Sequence, residues 1–252
     1  MKQMGSLFFL FAFFPSVFAD TMGHFHLGGN LGASIAALGN THPNINYYNG
    51  WLTDAYPVDG SHSSTTIVAA NGGYEFTGRG GIPAISLGLG IYGTPGNYDY
   101  NGQLIETALG SSSDTLYHYT FHISSVRLLL ETQFTWNIKN FTPFINIGVG
   151  SAWNHLSDYS ETPVNDTGYV ALPPFESHTS NNFAYQLGFG IGYAFDCLAS
   201  ACGYQSERIA LGYRYVDSGD VSFKTRGIEY PYSLDFEKLS SNEIYLAYTH
   251  FF

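Results

Sequence analysis

The sequence predicts an all-β protein: an eight-stranded antiparallel transmembrane β-barrel of up-and-down topology, preceded by a cleaved signal peptide. Three observations predict it. Bulky apolar residues recur at every second position over many segments. The face opposite them is small or weakly polar rather than charged. The connections between these segments alternate between short and long. A period of two residues is the signature of a strand. A half-buried strand of a soluble sheet carries charge on its solvent face. A strand with lipid on one side and a crowded lumen on the other does not.

The composition agrees. Only 12% of the 252 residues are charged, while 20 Phe, 20 Tyr and 29 Gly are present. The mean hydropathy is nevertheless −0.04. The mature chain has no run of about 18 apolar residues, so a polytopic helical protein is excluded. Coiled coils and disordered tails are excluded by the same composition. With nine Lys and Arg against a net charge of −11, the basic surface that nucleic-acid binding requires is missing.

Residues 1–19 read as the signal peptide. Lys2 supplies the positive start, Leu7 to Phe14 the apolar stretch and Pro15 its end, and Val17-Phe18-Ala19 gives a small residue at the cleavage position. The barrel is then expected over 20–252. Export places Cys197 and Cys202 in an oxidising compartment, as candidates for a disulfide in a short turn.

The strands follow in order. Residues 25–37 put Phe25, Leu27, Leu31 and Ile35 outward and His26, Asn30 and Ser34 inward. Residues 66–76 put Val68, Ala70, Tyr74 and Phe76 outward, with Asn71 and Glu75 inward. Residues 83–92 put Ile85, Leu87, Leu89 and Ile91 outward, against Ser86, Gly88, Gly90 and Tyr92. Residues 126–136 put Val126, Leu128, Leu130, Phe134 and Trp136 outward, with Arg127, Glu131 and Gln133 inward. Just upstream, Tyr117, Tyr119, Phe121 and Ile123 have the opposite phase, and a bulge near Ser124-Ser125 is expected to reconcile the two. Residues 141–154, 183–195, 208–216 and the terminal 243–252 complete eight strands, the clearest being Phe183 to Phe195. Residues 78–82, 137–140 and 197–206 are short turns. Residues 39–63, 94–115, 156–181 and 217–239, rich in Gly, Ser, Asn, Asp and Pro, are expected to be long outer loops, with both mature termini on the periplasmic side.

The segment Phe141-Thr-Pro-Phe-Ile-Asn-Ile-Gly-Val-Gly and the ending Ile244-Tyr-Leu-Ala-Tyr-Thr-His-Phe-Phe252, together with the export signal, resemble the small eight-stranded outer-membrane β-barrels of Gram-negative bacteria: the opacity and surface-antigen family and the membrane domain of OmpA. The resemblance implies residence in the outer membrane among lipid and lipopolysaccharide. It also implies a terminal signal for the barrel-assembly machinery, carried by Tyr248 and Phe252, with His250 departing from the usual pattern.

An eight-stranded barrel is just wide enough for side chains to fill it. The phase assignment sends Glu75, Arg127, Glu131, Arg208, Arg214 and Glu243 inward. Opposite charges that pair offset the cost of burial. Arg127 and Glu131 lie four apart on one face, and the last two strands bring Arg214 close to Glu243. A lumen plugged by an ion-pair network is expected, with inward glycines making room for it. His155, Ser157 and nearby Glu161 are the one constellation that suggests chemistry. They resemble in outline the His-x-Ser pair and Glu of an outer-membrane lipid A deacylase family, though solvated loop residues are the simpler reading. No spacing in the sequence suggests a metal site, and no cofactor is implied. The function expected is non-enzymatic and surface-exposed, with acidic outer loops that meet the envelope or a host ligand. A narrow gated pore and a lipid-modifying enzyme are the alternatives.

Overall fold

The computed structural model describes residues 23–47, 52–60, 62–77, 82–108, 114–164, 175–196, 206–225 and 233–252. The expected signal peptide, Cys197 and Cys202 lie outside them. Among the described residues twelve strands follow in chain order: β1 (Gly23–Leu38), β2 (Asn44–Tyr47), β3 (Leu52–Ala55), β4 (His62–Phe76), β5 (Ala84–Gly93), β6 (Tyr98–Ala108), β7 (Asp114–Thr135), β8 (Phe141–Pro163), β9 (Phe175–Glu176), β10 (His178–Asp196), β11 (Ser206–Thr225) and β12 (Ser233–Phe251).

Eight of these close a ring in the order β1, β4, β5, β7, β8, β10, β11, β12 and back to β1. Every pairing in it is antiparallel. The ring strands are the eight expected from the alternation. Closure matters physically: in hydrocarbon each backbone N–H and C=O must find a partner within the protein, and an open sheet edge cannot. The last amide helps to complete the ring, since Phe252 N donates to Phe25 O at 2.8 Å.

A belt of exposed apolar side chains surrounds the ring. Phe25, Leu27, Leu31, Leu87, Leu89, Leu128, Leu130, Ile145, Ile147, Leu187, Phe189, Leu211 and Leu246 all belong to it. Their neighbours in sequence point inward, where the barrel is packed. This is an eight-stranded antiparallel transmembrane barrel.

The strands do not stop at the belt. β7 has 22 residues and β8 has 23, about twice the 9–11 that cross a membrane. Much of the four expected outer loops is therefore ordered sheet, a correction to the sequence reading. β7 starts at Asp114, β8 runs to Pro163, and β11 and β12 continue to Thr225 and back from Ser233. β6 takes over from β5 as the partner of β7, and β3 and β2 extend the sheet from β6. Together these form a crown above the belt.

The crown also corrects the expected bulge at Ser124-Ser125. Tyr119, Phe121, Ile123, Ser125, Arg127 and Leu129 are all buried, in one unbroken phase. The pairing of β7 with β8 runs without a shift from His122 to Thr135. The side chains keep their direction; what changes is the surroundings. Beside lipid the apolar residues lie outside, and beside water they lie inside. The hydrophobic phase therefore inverts while the strand stays straight.

Among the described residues bulges marked by positive φ do occur in β8, β11 and β12, and the β6–β7 register also shifts between Leu104 and Ile105. The β7–β8 register shifts between Thr120 and His122, next to Asp158 (φ 55°). The β11–β12 register shifts between Asp217 and Asp220 and again before Ser222, around Gly219 (φ 73°) and Glu237 (φ 56°). Gly219 holds a conformation that glycine adopts without the Cβ penalty. These shifts carry Val221, Phe223, Leu234 and Phe236 to the inside.

This inversion has a measurable consequence. Leu128→Arg, at the belt, is expected to destabilise the refolded protein by about 2–4 kcal/mol. Thr120→Arg, on the same outward face eight residues earlier, should change stability by no more than about 0.5 kcal/mol. Urea unfolding in lipid bilayers gives both values.

Candidate functional site

The charged lumen is built around Glu243, which is fully buried. Register places Arg214 directly across from it on β11, and Arg214 Nε donates to Glu243 Oε2 at 2.5 Å. Arg127 reaches the other oxygen from β7, its Nη2 donating to Oε1 at 2.7 Å. The hydroxyls of Ser241 and Ser34 donate to the same oxygen at 3.2 and 3.4 Å. Ser34 also shares a 2.6 Å hydrogen bond with the Tyr98 hydroxyl. The Arg214 guanidinium lies between the rings of Tyr92 and Tyr245, 4.3 and 4.4 Å from their centroids. Two cations on one carboxylate, clamped by aromatic faces, make a rigid girder across the barrel.

Glu131 is held differently. It accepts from the Tyr92 hydroxyl and from Gln186 Nε2, and it forms no ion pair with Arg127. Residues four apart meet on a helix, but on a strand they are separated by about 13 Å. Arg127 is therefore closer to the opposite wall than to Glu131. Nearer the end that carries the C-terminus, Arg208 and Glu75 form a parallel two-point pair, both contacts at 3.3 Å. The Arg208 guanidinium sits 4.7 Å from the Phe251 ring centroid. Between this pair and the girder lies a cavity of about 60 Å³, room for a few waters. Arg208 Nε, Arg214 Nη1 and Asn146 Oδ1 are buried without hydrogen-bond partners; Arg208, Arg214 and Asn146 line the cavity.

Inward glycines make this possible. A Cβ on Gly90 would lie 2.8 Å from Glu131 Oε2, and one on Gly192 would lie 3.1 Å from Arg208 Cγ. Neutral partners complete the network: Tyr92, Gln186, Tyr245, Asn30, Ser34 and Ser241. Inward phase alone identifies them; charge does not.

Above the girder the lumen turns apolar. Ile67, Leu129, Ala152 and Ala184 pack with Tyr92. Then comes the crown core, which includes Tyr56, Tyr98, Tyr100, Tyr119, Phe121, Ile123, Leu156, Tyr159, Phe175, Phe223, Leu234 and Phe236. Phe121 stacks with Tyr100 at 5.4 Å and with Phe236 at 4.9 Å. Ions below and aromatic packing above fill the barrel in series.

The other sequence candidates lie apart. His155 is exposed on the outer face, with Nδ1 2.9 Å from the Thr179 hydroxyl. The Ser157 hydroxyl donates to Asp158 at 3.0 Å, and Glu161 accepts from the Tyr159 hydroxyl at 2.6 Å. No hydrogen bond joins His155, Ser157 and Glu161 among the described residues, and the bulge at Asp158 lies between the first two and Glu161. Nor does any group of three His, Cys, Asp or Glu there have the geometry to hold a metal ion. Tyr248 and Phe252 are exposed on the outer face of β12, with the His250 ring edge-on to Phe252 at 4.7 Å.

No family model and no curated protein matches the chain. Among solved structures it is similar to the outer membrane protein OprG from Pseudomonas aeruginosa, at 16% identity and a TM-score of 0.41, over 92% of this chain and 97% of that one. It is also similar to Neisserial surface protein A, at 7% identity and a TM-score of 0.38, over 89% and 95% of the two chains. Ail, the attachment invasion locus protein of Yersinia pestis, matches at 11% identity and a TM-score of 0.30, over 89% and 97%.

The network orders its own mutational costs. Glu243→Gln strands two buried guanidinium groups and should cost about 3–5 kcal/mol. Arg127→Met leaves Glu243 its Arg214 partner and should cost about 1.5–3 kcal/mol, the value of one charged hydrogen bond. Unfolding midpoints of the two refolded variants, compared with wild type, check this order.

Proposed function

We propose that the protein is a non-enzymatic outer-membrane barrel whose crown projects from the cell surface and serves as a contact platform. The observation that carries this reading is the filling of the lumen. The Arg127–Glu243–Arg214 girder is followed by Leu129 and Ile67 and then by the aromatic core of the crown. On this reading the lumen is closed to solutes. The barrel's ordered mass outside the belt is far larger than a simple anchor needs.

The crown suits contact in its surface chemistry. Its outward positions include His118, Thr120 and His122 on β7, Asp99 and Asn101 on β6, and Thr179 on β10. These short polar side chains, displayed on a rigid sheet, can hydrogen-bond a partner at small entropic cost. Most of the acidic residues outside the belt belong to the crown, among them Asp54, Asp59, Asp99, Glu106, Asp114, Asp158, Glu161, Glu176, Asp217, Asp220, Asp235 and Glu237; Asp166 and Glu229 lie outside the described residues. Under this proposal the excess of acid meets lipopolysaccharide through divalent cations, or a host ligand. The termini then face the periplasm, with Phe252 next to the assembly machinery during insertion. The separation of His155, Ser157 and Glu161 supports the non-enzymatic part of the reading.

Two measurements test the proposal. In planar bilayers the refolded protein should show no steady conductance; a large, steady channel overturns the sealed lumen. Cells carrying the protein should keep the lipid A acylation of a deletion strain while gaining surface adhesion. Loss of an acyl chain that depends on Ser157 would establish an enzyme instead.

A further inference from the structure

The crown contains one cluster of like charge that neither the girder nor the aromatic core explains. Asp54 on β3 is the direct cross-strand neighbour of Glu106 on β6, and Glu106 is in turn opposite Asp114 on β7. Like charges directly opposite destabilise a sheet. Ile45, on the same row of β2, is buried in the crown core, so Asp54 shares its inward face. Asp54 Oδ1 is itself buried with no hydrogen-bond partner. No salt bridge reaches Asp54, Glu106 or Glu161 among the described residues. The charged groups that act on Asp54 from neighbouring elements are Glu106 on β6 and Glu161 on β8; Asp114, opposite Glu106, is exposed. Beyond them lie the hydroxyls of Tyr159, which is bonded to Glu161, Tyr119 and Tyr56. None carries positive charge.

The β2–β3 hairpin that holds Asp54 joins the sheet through four residue pairs to β6; just past it Val58 bridges Gly102, Gln103 N donates to Pro57 O at 3.1 Å and Asp59 N to Asn101 O at 2.7 Å. It is pinned at its base, where Tyr56 N donates to Pro43 O and Val58 N to Thr41 O, both at 2.9 Å, and where the Tyr119 hydroxyl donates to Tyr56 O at 2.9 Å.

We propose that the β2–β3 hairpin is an acid-latched flap of the crown, closed when Asp54 is protonated and loosened from β6 when Asp54, Glu106 and Glu161 are all charged. Closing buries Ile45 against the aromatic core; opening uncovers that part of the core. Burial, then the charges of Glu106 and Glu161, pushes the Asp54 carboxyl up to about 6, and burial raises Glu161 as well against the hydrogen bond from Tyr159. The direction follows. The folded flap binds a proton more tightly than the opened one, so its protection is complete below the ordinary carboxyl range and is lost as pH rises through about 6.

Amide hydrogen exchange on the full refolded chain in lipid nanodiscs tests this. After correction for intrinsic exchange rates, amides of residues 44–47 and 52–55 should be about tenfold better protected at pH 5 than at pH 7.5. Those of Phe223 and Leu234 should not change between the two pH values. Asp54→Asn should hold the hairpin equally protected at both. Glu161→Gln, which keeps the Tyr159 contact, should move the midpoint to lower pH. Equal protection of the wild-type hairpin at both pH values overturns the proposal. So does a pH dependence that survives Asp54→Asn, or, should that variant fail to refold, a midpoint unmoved by Glu161→Gln.

Discussion

A strand that leaves lipid and enters water must exchange which of its two faces is apolar, and this architecture follows from how that exchange is made. Side chains on a strand alternate strictly, so their direction cannot change without a register defect. β7 keeps its direction and exchanges its residues: Leu128 outside at the belt, Phe121 inside the crown. β8, β11 and β12 add bulges near the boundary, at Asp158, Gly219 and Glu237. Both devices put apolar mass inside the barrel once water lies outside. The crown core therefore follows from the length of the strands.

The two fillings of the lumen answer two dielectric problems. Within the belt the barrel wall is already apolar on its lipid side, so the inward face is free to be polar. Charges placed there are tolerable only when paired or hydrogen-bonded, as Glu131 is by Tyr92 and Gln186. Glu243 gathers two guanidinium groups and two hydroxyls, and Tyr92 and Tyr245 cover the faces of Arg214. In the crown no lipid contributes, and stability has to come from burial in the interior. Tyr100, Phe121 and Phe236 supply it by stacking. The exception is the group of Asp54, Glu106 and Glu161, carboxyls without a cation, and this is where the proposed dependence on pH originates.

The eight ring strands were legible because each carries an alternation that soluble sheets do not show; Phe183 to Phe195 is the clearest. The inward direction of Glu75, Arg127, Glu131, Arg208, Arg214 and Glu243 was legible for the same reason. Arg214 opposite Glu243 could be read from the phase of the last hairpin. The contact of Arg127 with Glu243 could not, because it crosses the lumen between strands that are not neighbours. The crown was hidden by its own surface. His118, Thr120, His122, Asp99 and Asn101 are outward strand residues of the types that also mark loops. Their inward partners, Tyr119, Phe121 and Tyr100, look like a phase error when lipid is assumed to continue.

The most direct measurement is a spin-label scan of β7, one cysteine at a time from Leu116 to Phe134, with accessibility to oxygen and to a water-soluble nickel reagent. Even positions from Val126 onward should be open to oxygen, and even positions from His118 to Ser124 open to nickel. The odd positions should be closed to both, in one continuous phase. A switch of the accessible face from even to odd at Ser124-Ser125 would contradict the account, since the strand would then have turned over and the surroundings would not have changed along a straight one.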